Sequence, residues 1–163
     1  MRLRSRRRFE ERVLPERTDY KRILVPMKVG DIGEEMVATA IALAKDSGAE
    51  VEALTVVRVP RRFPLEGELP PNVAAKVEAS LEEARGLGAD HDVEVQTGVV
   101  RARSIGDVIV EEAKSRGADL IVLGSAARWR RQSRFFSPTV DFVLRHAPCE
   151  VLVVAFPEGV FEE

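Results

Sequence analysis

The run Leu120-Ile121-Val122-Leu123-Gly124-Ser125 carries the reading of the fold. Four consecutive apolar residues suit a strand buried on both faces, as in a parallel sheet covered by helices. Forward from it, Gly124-Ser125-Ala126-Ala127 enters a polar, arginine-rich loop. Ser137-Pro138-Thr139 then opens a short helix whose inner stripe is Val140, Val143, Leu144 and Ala147. Val151 to Val154 reads as the last strand.

Backward from it, short apolar runs alternate with amphipathic ones. Arg22 to Met27 holds the continuous run Ile23-Leu24-Val25. After a turn at Gly30 and Asp31, Met36, Val37, Ala40, Ile41 and Ala44 recur at helical spacing, and Asp46-Ser47-Gly48 ends that helix. Val51 to Val59 predicts a second strand, closed by Pro60. An irregular connection over 60–71 holds four prolines and a glycine. Asn72 is placed as the N-cap of a second helix with the stripe Val73, Val77, Leu81 and Ala84, ending near Gly86 or Gly88. Val93, Val95 and Thr97 alternate with polar residues, which predicts a strand exposed on one face or lying at an edge. Ser104 is placed as the cap of a third helix with Ile105, Val108, Ile109 and Ala113 inside, stopped by Gly117. The resulting β-α-β-α-β-α-β-α-β order predicts an α/β fold: a Rossmann-like open parallel sheet with helices on both faces and right-handed crossovers. No internal repeat interrupts it.

The chain has 163 residues, 45% hydrophobic and 32% charged, which suits one folded domain and argues against wholesale disorder. No apolar run approaches the roughly 20 residues of a membrane span. A single cysteine, Cys149, excludes an internal disulfide framework and a Cys-rich zinc site. Charge is uneven. Arg2, Arg4, Arg6, Arg7 and Arg8 place five positive charges in the first eight residues; removing them from the net −2 leaves −7 on the remainder. Phe9 is followed by Glu10, Glu11 and Arg12, not by the apolar stretch of a secretory signal. Two readings stand for this leader: a solvated tail, or a contact with an anionic membrane surface at about 1 kcal/mol per basic residue. Residues 1–20 are expected to be leader and linker, 21–155 the domain, and 156–163 a tail. The expected location is the cytoplasm, with membrane association as the second option.

Ligands of open α/β sheets sit beyond the carboxyl ends of the strands, where strand order reverses. A glycine at a strand end lets backbone approach a phosphate, and a helix start offers unpaired N–H groups. At this point the chain resembles the universal stress protein family. The resemblance rests on Lys21-Arg22-Ile23-Leu24-Val25-Pro26, on Gly117 through Ser125, and on Val143-Leu144-Arg145-His146-Ala147-Pro148-Cys149-Glu150-Val151-Leu152-Val153-Val154. It implies a five-stranded sheet in the order 3-2-1-4-5, a homodimer often paired through the last strand, and no metal.

The resemblance also implies a nucleotide pocket, at Pro26, Met27, Val56, Leu123, Gly124, Ser125, Ala127, Ser137 and Thr139. The ATP-binding branch of the family carries G-x-x-G, nine residues, then G-S or G-T. Here Gly124 fits the first position, but Ala127, Ser137 and Pro138 replace the other glycines and the hydroxyl residue. Lys28 stands where an acidic residue often meets the nucleotide, and Asp31 lies three positions off. A positive φ required at 127 would cost alanine on the order of 1 kcal/mol. Pro138 removes a backbone donor. Arg128, Arg130, Arg131 and Arg134 surround Trp129; they are read either as a phosphate or partner contact or as a solvated loop. Nucleic acid is not expected, because the flanking chain is acidic and only one aromatic is interleaved.

No nucleophile–base set emerges. His146 reads as a helix-end cap, His91 as a turn residue and Cys149 as a small half-buried side chain. Glu111 with Glu112, and Glu34 with Glu35, are adjacent and so diverge on their helices. The chain is expected to be a non-catalytic regulatory or stress-response domain with weak or absent ATP binding. The alternatives are an adenine-nucleotide sensor for ATP or AMP, and a cytoplasmic accessory domain of a membrane transporter.

Overall fold

The computed structural model describes residues 19–28, 31–127 and 135–160. The leader Met1–Arg8, the turn residue Gly30, and Arg128, Trp129, Arg130, Arg131 and Arg134 lie outside the described residues. The elements run β1 (Arg22–Met27), α1 (Asp31–Ser47), β2 (Glu50–Arg58), α2 (Pro71–Asp90), β3 (Val95–Ala102), α3 (Ile105–Arg116), β4 (Leu120–Ser125), α4 (Pro138–His146) and β5 (Glu150–Ala155). All pairings are parallel and the sheet order is β3-β2-β1-β4-β5, as expected.

The apolar runs of β1 and β4 sit at the centre of the sheet and divide their side chains between two cores, since successive residues point to opposite faces. Ile23, Val25, Leu120 and Val122 pack with Met36, Val37 and Ile41 on the α1 side. Leu24, Ile121 and Leu123 pack with Ile109, Val140 and Val143 on the α3 and α4 side. Leu24, Ile23 and Ile121 are fully buried, and each such side chain contributes about 1.5–3 kcal/mol of transfer free energy. β3 is an edge strand bonded to β2 alone, which explains its polar alternation.

Helix ends follow glycine where the backbone turns left-handed. Gly48 (φ 69°) ends α1, and Gly117 (φ 65°) ends α3. Three expectations are corrected. The N-cap position of α2 is Pro70, and Asn72 lies inside the first turn; Pro71 fits the first helical position because its missing N–H is not needed there. α2 also runs through Gly86 and Gly88 to Asp90. Gly86 is exposed and costs the helix only about 1 kcal/mol relative to alanine. Gly88 is required by packing, since a Cβ there would lie 2.4 Å from Val95 Cγ2 and 2.6 Å from the Val93 carbonyl oxygen. Finally, β3 begins at Val95 and extends to Ala102, with Val93 buried in the turn before it. Among the described residues no helix is long and apolar enough to cross a membrane.

Candidate functional site

Strand order reverses between β1 and β4, so the carboxyl ends of these strands form the crevice in which a ligand is expected. Register sets its floor. Val56 and Leu123 belong to the core under α3 and α4, at 8% and 5% exposure. Pro26 follows Leu24 by two residues and therefore shares that face. Ser125, 4% exposed, ends β4 on the same face, and its carbonyl accepts the Phe156 N–H at 3.2 Å. Met27 does not join this group. Its side chain is buried in the opposite core with Met36 and Val37, so only its backbone faces the crevice. Beside it, Gly33 closes over the end of β1; a Cβ there would lie 2.7 Å from the Lys28 carbonyl oxygen.

The start of α4 forms the other wall. Ser137 is the N-cap, in extended conformation, and its Oγ accepts the Val140 N–H at 3.2 Å. The Ser137 carbonyl accepts the Asp141 N–H at 2.9 Å. Pro138 at the first helical position has no N–H to give. Among the described residues, Thr139 is left as the first-turn N–H without a partner, with its hydroxyl beside it. Asp141 adds negative charge to the same turn, partly offset by Arg145 at 3.1 Å. The cap takes up one N–H of this turn, and the Asp141 carboxylate opposes the positive end of the helix dipole less than a free carboxylate would because Arg145 holds it.

Ala127 differs from expectation. It is 2% exposed, and among the described residues the non-glycine residue with positive φ is Asp92, not Ala127. The backbone strain considered for this position is therefore absent. What remains is a buried methyl group in place of hydrogen.

The described histidines and the thiol are in structural positions. His146 stacks on Phe142 with centroids 4.2 Å apart, and its Nδ1 lies 2.9 Å from the Phe142 carbonyl oxygen, as a helix-end cap should. His91 occupies the C-cap position of α2. Burial pushes the Cys149 thiol up from its ordinary value, and the charges of Asp119 and Glu150 push the same way, so it stays protonated at neutral pH.

The sequence reading missed the polar network at the opposite, amino-terminal edge of the sheet. Asp119 accepts the backbone N–H groups of Lys21 and Arg22 at 2.8 and 3.1 Å. Arg22 donates to the Arg116 carbonyl oxygen at 2.6 Å. Arg116 bridges Glu112 at 2.6 Å and the buried Glu52 at 3.0 Å, and Tyr20 donates to Glu150 at 2.7 Å. Hydrogen bonding to Glu112, then to Glu52, holds the Arg116 guanidinium above its already high ordinary value. A groove of about 410 Å³ runs between Tyr20, Gly48, Glu50 and Arg116; of its charged groups, Arg22 pairs with Glu50, and Arg116 with Glu52 and Glu112. Acidic residues at strand and helix ends were the available signal, and they hold backbone and arginine rather than a ligand.

Comparison with known proteins agrees with this fold. The pattern of the Universal stress protein family matches residues 19–155. A universal stress protein of Methanocaldococcus jannaschii is 28% identical over 144 residues, covering 85% of this chain and 84% of that protein. Among solved structures, a universal stress protein from Archaeoglobus fulgidus in complex with dAMP aligns with a TM-score of 0.62 at 20% identity, over 83% of this chain and 98% of that one. A universal stress protein in complex with cAMP aligns with a TM-score of 0.59 at 22% identity, over 83% of this chain and 97% of that one.

Proposed function

We propose that this chain, which belongs to the universal stress protein family, is a non-catalytic regulatory domain whose crevice holds ATP weakly or not at all. The first turn of α4 carries this reading: Ser137 spends its hydroxyl on Val140, and Pro138 has no N–H. Each hydrogen bond to a charged group contributes about 1.5–3 kcal/mol, so a triphosphate denied two of them binds at least tenfold more weakly. The non-catalytic part of the reading is supported by His146 being held against Phe142 and by the raised thiol of Cys149. Calorimetry with magnesium and ATP tests it. The expected result is no saturable heat at micromolar ATP, and at least a tenfold gain in affinity for the double variant Ser137→Gly/Pro138→Ser. Submicromolar, magnesium-dependent binding by the unaltered chain rejects it.

A second reading, an adenine-monophosphate sensor, is favoured by the apolar floor of Pro26, Val56 and Leu123. That floor needs no phosphate donors, and the relatives solved with dAMP and cAMP hold nucleotides with a single phosphate. Thermal shifts then rank AMP above ATP at equal concentration; equal or absent shifts reject this reading. We further propose a homodimer through β5. This edge strand exposes Leu152 at 37%, and Leu152→Lys is expected to halve the mass measured by light scattering.

A further inference from the structure

The arginines of the described residues fall into two groups. Arg22, Arg85, Arg116 and Arg145 each hold a carboxylate. Arg58, Arg61, Arg62, Arg101 and Arg103 hold none among the described residues, and all five lie at the carboxyl ends of β2 and β3 or on the connection that leaves β2, with Arg58 and Arg101 on opposite faces of the sheet. Arg58 ends β2, and Arg101 and Arg103 stand at the end of β3 and just beyond it; the register pairs Val57 with Arg101 and Arg58 with Ala102. Arg61 and Arg62 sit on the connection that leaves β2. Arg103 pins this connection by donating to the carbonyl oxygens of Pro60 at 3.0 Å and Phe63 at 3.1 Å. Pro60, Pro64 and Pro70 restrict it further. The Arg62 guanidinium lies over the Phe63 ring, 5.0 Å from its centroid. Phe63 and Leu65 are 51% and 41% exposed beside it. Glu66 and Glu68 share the connection, yet neither pairs with these arginines.

These guanidinium groups have no ion-pair partner among the described residues, and Arg61, Arg62 and Phe63 lie on a connection that Arg103 pins in place. We propose that the β2–β3 rim is a docking surface for a short acidic segment of a partner protein carrying an apolar side chain. The guanidinium groups of Arg58, Arg61 and Arg62 take its carboxylates in bidentate fashion, and Phe63 and Leu65 take the apolar group. A fixed connection lowers the ordering cost of docking. An extended nucleic acid fits less well. A strand long enough to cross the rim meets α2, which exposes Glu83 beside a Glu78–Glu82 pair that the single charge of Arg85 only half neutralises.

The test is fluorescence anisotropy with a labelled glutamate-rich peptide carrying one phenylalanine, titrated with the full chain. Two triple variants remove equal charge: Arg58→Gln/Arg61→Gln/Arg62→Gln at the rim, and Lys45→Gln/Lys114→Gln/Arg145→Gln elsewhere. The rim triple is expected to weaken binding about tenfold or more, and the matched triple less than about twofold. Phe63→Ser, which leaves every arginine in place, is expected to weaken it severalfold. The proposal is overturned by lack of peptide binding to the unaltered chain, by equal losses in the two triples, by no loss in either, by an unchanged affinity in Phe63→Ser, or by tighter binding of a single-stranded oligonucleotide of equal charge.

Discussion

The two edges of the sheet use the same residue type in opposite ways. At the amino-terminal edge, Arg22 and Arg116 are tied into Glu50, Glu52 and Glu112, and Asp119 fixes the backbone that enters β1. At the carboxyl-terminal edge, the arginines that end β2 and β3 have no carboxylate among the described residues, and the Thr55 hydroxyl is buried without a partner. One edge satisfies its polar groups internally and so serves stability. The other leaves polar groups and charge unmatched, as sites that meet something else commonly do.

The sharpest way to break this contrast is Arg116→Ala. It strands the buried Glu52 carboxylate, and, discounted for a guanidinium about one-third exposed, it should cost about 2–3 kcal/mol in urea unfolding. A loss near zero would erase the difference between the edges. Asp119→Ala removes the acceptor of two backbone N–H groups and should cost about 1–2 kcal/mol by the same measurement. Thr55→Val sharpens the comparison in the other direction. It removes an unpartnered hydroxyl at nearly constant shape, so stability should stay level or rise by up to about 1 kcal/mol. The smallest effect belongs to Arg61→Gln/Arg62→Gln, whose thermal midpoint should correspond to a change within about 0.5 kcal/mol.

The parts of the fold that hydrophobic pattern and glycine govern were legible. The unbroken apolar runs of β1 and β4 mark the sheet centre, and Gly48 and Gly117 mark helix ends because only a left-handed turn serves there. The errors have physical causes as well. Gly88 resembles a stop signal, yet it is kept for the close approach of β3, a contact between distant segments that no local pattern carries. The resemblance puts Met27 beside Pro26 in the pocket, but residue type does not show that the pleat turns its side chain into the opposite core and leaves only its backbone facing the crevice. At the site, the cap at Ser137 and the donor missing at Pro138 were readable from residue type alone. The ordinary φ of Ala127 was not, because residue type does not by itself fix the backbone angle of a non-glycine loop residue. The unmatched arginines at the ends of β2 and β3 escaped notice for a related reason. They are spread along the sequence, and only the register brings the ends of β2 and β3 side by side.

The strand order has a consequence for the nascent chain. β1 pairs on one side with β2, which follows soon after it, and on the other with β4, which begins just past Asp119, 98 positions after Lys21. At translation speeds of about 5–20 residues per second, that interval lasts roughly 5–20 s. The first three strands and two helices thus leave the ribosome well before the second flank of the central strand exists. Until then Ile23 and Leu24 present an unpaired margin, open to any other strand that meets it.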